Sequence, residues 1–223
     1  MEVSNAFLPR PGCIPAYPVA ITVPLTLWTI ILIPVYWHHY GPTNFLWFSN
    51  IALFALVICA WTGNRLLYSM MAVGVLPMET LWLVDFATGG NVTGLAAYMF
   101  DPDLELYLRI LSGFHFALPP LIIWMLYCQG YDERALFWQW LLAWIVLPVT
   151  YLVTDPEANI NSVYGLTDPQ DTLPDLIYLG LFMLLLPIVV YLPMHWLLKR
   201  LWGKAGRWRR RKPLEACGPT AAH

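Results

Sequence analysis

Six stretches of about twenty mostly apolar residues run through this chain, at roughly 19–37, 44–62, 66–87, 104–128, 135–154 and 174–198. A stretch of that length spans the hydrocarbon core of a bilayer as a helix. In lipid, a helix is the form in which such a segment satisfies its own backbone hydrogen bonds. The sequence therefore predicts an all-α integral membrane protein: a bundle of about six transmembrane helices. Composition agrees, since 59% of the 223 residues are hydrophobic and only 12% are charged, about half the charge of a soluble domain. This excludes a disordered chain, a coiled coil and an ordinary soluble enzyme. With no basic surface over the body of the chain, it also argues against nucleic acid as a partner.

Three regions follow: a proline-rich N-tail over 1–18, a six-helix transmembrane domain over 19–198 and a basic C-tail over 199–223. The N-tail has no basic segment ahead of an apolar stretch, so no cleaved signal peptide is expected. Basic residues collect on cytoplasmic flanks. With six spans, one side holds Arg10, Arg65, Arg134 and a cluster of eight Lys and Arg beyond residue 198, among them Lys199, Arg200 and Arg209 to Arg211. The other side holds Asp101, Asp103, Asp155, Glu157, Asp168, Asp171 and Asp175. Both tails are thus expected in the cytoplasm. Trp202 and Trp208 lie among the basic residues, which can also touch anionic head groups. Cys13, Cys59, Cys128 and Cys217 form no CxxC and are expected as thiols, with neither a disulfide nor a zinc cluster.

Polar residues inside the spans carry the functional information, because they are costly in lipid and face the bundle interior for a reason. They concentrate in the outer half: Asn44, Ser49 and Asn50 on span two, Glu79 and Asp85 on span three, Arg109, Ser112 and His115 on span four. His38 and His39 cap span one. Asn159, Asn161 and Tyr164 follow in an outer loop, and Asn91-Val-Thr93, in the other long outer loop, fits a glycosylation acceptor. The inner half holds little beyond His195, placed to snorkel toward water. This pattern predicts a polar cavity open to one face. Arg109, Ser112 and His115 recur at helical spacing and are read as one face. Asp85 lies at the depth of Arg109 and is its expected ion-pair partner. His115 precedes Pro119 and Pro120, which remove backbone donors and can kink the helix.

Three readings of the polar set stand. In the first, Ser49 attacks a lipid ester, His115 takes its proton and Glu79 orients His115. Asn44 or Asn50 donates to the oxyanion, Arg109 meets a phosphate or carboxylate, and Asp85, His39, Asn161 and Tyr164 complete the substrate site. In the second, His38, His39, His115, Glu79 and Asp85 hold a metal or a pigment. Their spacing matches no metal motif, and no cofactor is expected. In the third, the bundle is a non-catalytic subunit or assembly factor of a larger membrane complex. A transporter is disfavoured by the dry inner half.

The runs His39-Tyr-Gly-Pro-Thr-Asn-Phe-Leu-Trp-Phe-Ser-Asn-Ile-Ala-Leu-Phe54, Met99-Phe-Asp-Pro102, Gly113-Phe-His-Phe-Ala-Leu-Pro119, Gly130-Tyr-Asp-Glu-Arg134 and Asn159-Ile-Asn-Ser-Val-Tyr-Gly165 resemble a bacterial family of multi-pass membrane-associated proteins without assigned activity. More remotely, the arrangement is similar to YwaF-like integral membrane proteins. It is also similar to the androgen-induced transmembrane hydrolases of fatty-acid esters of hydroxy fatty acids. The resemblance implies a six-helix bundle in the bacterial inner membrane, with a nucleophile on span two and a histidine on span four. Ser49 matches the first position, where those relatives carry Thr or Cys, and His115 matches the second. Membrane lipid is the implied partner.

Overall fold

The computed structural model describes residues 16–203. The N-tail's Pro9, Arg10, Pro11, Cys13 and Pro15, and the C-tail from Lys204 with its basic cluster, Trp208 and Cys217, lie outside the described residues. Among the described residues the chain is all-helical. Helix α1 covers Val19–Tyr40, α2 Phe48–Thr62, α3 Arg65–Gly74, α4 Leu76–Ala87, α5 Leu106–Ser112, α6 Phe114–Gln129, α7 Ala135–Val153, α8 Asp175–Leu186 and α9 Leu192–Trp202.

Four rods are long and apolar enough to cross a membrane: α1, α5 with α6 (Leu106–Gln129), α7, and α8 with α9 (Asp175–Trp202). A fifth is the pair α3 and α4, bent by 52°. The bend falls at Gly74. A Cβ there would land on the side chain of Gln139 from α7, so glycine lets α7 approach the backbone where the helix breaks. The sixth apolar segment departs from expectation. Gly41 (φ 74°) ends α1, and Pro42–Leu46 forms a short 3-10 turn. That leaves α2 with only 15 residues, about 22 Å at the usual rise, short of a full hydrocarbon thickness.

Prolines shape the rods elsewhere. The π-helical turn Pro187–Tyr191 links α8 to α9, with Pro193 just beyond it. α6 runs through Pro119 and Pro120, which were read as able to kink it. The α5/α6 rod is interrupted at Gly113, where Gly113 N–H bonds Ile110 C=O. The two prolines sit inside α6, where they leave the carbonyls of His115 and Phe116 without an i+4 donor.

The bundle has two ends. At the basic end, the backbone N–H groups of Ala16 and Tyr17 bond the carbonyls of Trp61 and Ala60, satisfying acceptors that the end of α2 leaves open. Tyr17 accepts from Gln129 and packs on Trp124, and the Tyr68 hydroxyl donates to Gly130 C=O at 2.7 Å. Cys59 and Cys128 are buried here as thiols. Asp132 pairs with Arg134 at 2.9 Å and with Arg65 at 3.8 Å, and Arg134 holds its carboxyl below the usual range. Lys199, at the start of the expected C-tail, lies within α9 and pairs with Glu133. His195 does not snorkel. It is buried, with Nδ1 2.7 Å from the Tyr131 hydroxyl.

At the acidic end, two long loops fold down onto the helices. Asp85 anchors the first. It is fully buried, and its Oδ1 accepts from the backbone N–H groups of Val92, Thr93 and Gly94 while Oδ2 accepts from Ala96. The second loop carries Asn159 and Asn161 in left-handed backbone (φ 35° and 56°), which asparagine tolerates better than most residues. Asn159 ties the loop together through Gly165, Thr167 and Tyr164.

Candidate functional site

One buried polar centre stands out in the half of the bundle toward the acidic end. On α6, His115 Nδ1 lies 2.7 Å from Glu79 Oε2 of α4. Glu79 is 4% exposed, and the His115 side chain 12%. Local sequence places both. His115 heads the buried stripe Leu118, Ile122, Met125 of α6, and Glu79 shares a buried face with Trp82 three residues on. The indole of Trp82 stacks on the imidazole, with centroids 4.6 Å apart and planes 17° apart. Phe114 closes in at 4.2 Å. The ring is therefore clamped in one orientation. Its Nε2 makes no hydrogen bond among the described residues.

Hydroxyls flank this pair. Tyr36 of α1 lies 2.6 Å from Ser112 Oγ, both buried. Tyr98, from the loop after α4, faces Ser112 and Trp82, and burial pushes its phenol well above the usual range. Sequence reasoning placed Ser112 in the cluster but missed Tyr36, Trp82 and Tyr98. The signal was present: Trp82 stands three residues after Glu79, and Ser112 three before His115.

Ser49 is the second residue of α2 and is half-buried. It makes no hydrogen bond among the described residues, to His115 or to any other group. Its depth nevertheless matches. Thirteen residues separate it from Thr62, and fourteen separate His115 from Gln129, each about 20 Å of helix. These lower ends are level, because a Cβ on Gly63 would sit 3.6 Å from Gln129 Nε2. Ser49 also heads the inward stripe Ala52, Leu53, Leu56, Ala60 of α2, and α2 packs on α6.

The remaining predicted site residues fall into other roles. Asp85 and Arg109 do not pair, because four backbone amides saturate Asp85. Arg109, Ser112 and His115 do not share one face: six residues turn a helix so that Arg109 and His115 diverge by about 120°. Arg109 faces outward with Gly113 and Phe116 along a groove. The Nδ2 of Asn50 donates to Asn44 C=O, leaving its Oδ1 buried and unpartnered. The open atom is an acceptor, the wrong polarity for an oxyanion. The Asn44 side chain makes no hydrogen bond among the described residues. Asn161 is a backbone clamp, with Nδ2 donating to Leu46 C=O and Oδ1 accepting from Phe48 N–H. It thus fixes the start of α2, one residue before Ser49. The Tyr164 hydroxyl donates to the carbonyls of Tyr151 and Thr154 and closes the end of α7. His39 is exposed and lies 2.6 Å from the Tyr107 hydroxyl. Among the described residues, no three of His, Cys, Asp and Glu converge as a metal site.

No family model, no curated protein and no solved structure matches this chain.

Proposed function

We propose that this chain is a multi-pass membrane enzyme that uses the Glu79–His115 pair as a general base on a lipid ester, as a hydrolase or acyltransferase. The observation that carries the reading is the pair itself. A carboxylate bound to Nδ1 fixes the imidazole and leaves Nε2 as the proton acceptor, the arrangement that general-base catalysis requires. The apolar body around it suits acyl chains, and the resemblance to transmembrane lipid-ester hydrolases points the same way. In this reading the chain crosses the bacterial inner membrane six times, counting the bent α3/α4 pair and the short α2, with both tails cytoplasmic.

The nucleophile in this reading is Ser49. Its Oγ attacks the ester carbonyl carbon as His115 Nε2 takes the hydroxyl proton. The tetrahedral intermediate then expels the alcohol, which receives that proton, and the acyl group stays on Ser49. Water or a second alcohol, deprotonated by His115, releases it. In this reading Ser49 and His115 meet across the packed helices α2 and α6.

Labelling of the purified full chain in detergent by a fluorophosphonate probe tests this. The expected result is labelling of the native chain that disappears in both Ser49→Ala and His115→Ala. Labelling that survives Ser49→Ala moves the nucleophile elsewhere. No labelling of a folded native chain overturns the serine mechanism and favours a non-catalytic subunit of a larger membrane complex.

A further inference from the structure

Among the described residues, Arg109 is a cation without a counter-charge. It stands one turn into the α5/α6 rod, about 5 Å from the rod's end at Leu106. It forms no ion pair with any described residue. Asp85, its expected partner, is saturated by backbone amides. Its one hydrogen bond is a long one, from Nη1 to Met99 C=O at 3.5 Å, and its Nε is buried without a partner. A guanidinium at the edge of hydrocarbon calls for an anion.

The surroundings say which kind. Arg109 forms part of the wall of a groove of about 290 Å³ whose other lining side chains are apolar, among them Phe86, Phe100, Leu106, Ile110 and Phe116. Phe100, Leu106, Ile110 and Phe116 are also exposed on the outer surface of the bundle, so the groove opens sideways. A soluble anion gains nothing from such a wall. A lipid gains at both ends, because its chain covers the aromatic face while its charged head lies at the level of Arg109. The guanidinium's Nη donors, engaged only by the long bond to Met99 C=O, match two oxygens of one phosphate.

We infer that this groove is a binding site for one anionic phospholipid, with its phosphate on Arg109 and an acyl chain along Phe86, Phe100, Ile110 and Phe116. The site is separate from the Glu79–His115 centre. Phe86 and Phe116 pack edge to face at 4.8 Å, and both pack on Trp82, which in turn covers His115. The inference therefore stands whether or not that centre is catalytic.

The experiment is native mass spectrometry of the full chain from nanodiscs of equal phosphatidylglycerol and phosphatidylcholine. It compares the native protein with Arg109→Gln, Arg109→Lys and Ile110→Trp. The basic C-tail is common to all four, so differences between them report on the groove. The native chain is expected to retain one phosphatidylglycerol about tenfold over phosphatidylcholine, a bias worth about 1.4 kcal/mol. Arg109→Gln removes the bias and Arg109→Lys weakens it. Ile110→Trp fills the groove from a lipid-exposed position, keeps the charge and also removes the bound lipid, which covers the case in which Arg109→Gln does not fold. Equal retention of phosphatidylglycerol in the native chain and Ile110→Trp overturns the site. Displacement of the bound lipid by equimolar oleate assigns the groove to a carboxylate and overturns the phospholipid.

Discussion

Among the described residues, two histidines with little exposure, His115 and His195, stand at opposite ends of the bundle. Each has a polar partner 2.7 Å from Nδ1. His195, near the basic end, meets the neutral hydroxyl of Tyr131, and Glu133 and Lys199 pair with each other close by. His115, deep in the opposite half, meets a buried carboxylate under a stacked indole. A phenol can turn its proton either way, so the Tyr131–His195 contact sets no direction. A carboxylate accepts only, so it favours a proton on Nδ1 of His115, and in the neutral ring Nε2 is then the acceptor. Similar burial and identical distance thus give a structural tie at one end and a candidate base at the other.

Breaking each tie separates them. On a lipid ester that the native chain turns over, Glu79→Gln is expected to lower the rate by about 10²- to 10⁴-fold. Tyr131→Phe, measured in the same assay, leaves the rate unchanged. Equal losses in the two variants would erase the distinction.

The next effect concerns what supports each half. Asn161 holds Leu46 C=O and Phe48 N–H at the start of α2. Asn161→Ala leaves both unpaired and is expected to lower stability by about 2 kcal/mol or more, read as thermal unfolding in detergent. It should also reduce fluorophosphonate labelling of Ser49. Tyr131→Phe removes a single hydrogen bond and is expected to cost about 1 kcal/mol, with labelling unaffected. Unchanged unfolding in Asn161→Ala would show that the outer loop does not position α2.

The smallest effect lies at the basic end. Arg134 and Arg65 hold the Asp132 carboxyl below its ordinary value. A group whose pKa is lowered on folding stabilises the fold above its unfolded value and loses that contribution as pH falls through the folded one. Asp132→Asn is therefore expected to cost about 0.5 kcal/mol at neutral pH. The gap to the native chain closes as pH is lowered past about 4. A gap independent of pH would show that the ion pairs contribute nothing.

Much of this plan is legible in the residues. Apolar length yields the rods, and costly polar residues mark the half that holds the site. The Glu79–His115 contact was foreseen in the hydrolase reading alone, with Glu79 as the acidic member that orients His115. The misreadings share a cause, which is that the backbone competes for polar side chains. Asp85, Asn161 and Tyr164 look like site residues in a linear sequence, yet in the fold each satisfies loop or helix-end groups. Which amides a loop presents depends on how it returns, and spacing does not encode that. The shortening of α2 was likewise hidden, because Pro42–Leu46 is apolar enough to extend the span while its prolyl turn ends the regular helix. Trp82 and Tyr36 were masked by abundance, since 12 Trp and 12 Tyr are readily taken as interfacial belts.

The central claim is that Glu79 keeps the proton of His115 on Nδ1 and leaves Nε2 bare. Nitrogen-15 NMR of histidine-labelled protein, with the signal assigned by its loss in His115→Asn, reads this directly at neutral pH without any substrate. The account predicts a protonated Nδ1 and an unprotonated Nε2 for His115, and loss of that fixed tautomer in Glu79→Gln. A proton on Nε2 in the native chain would contradict it, because His115 would then have no site with which to take a proton from Ser49.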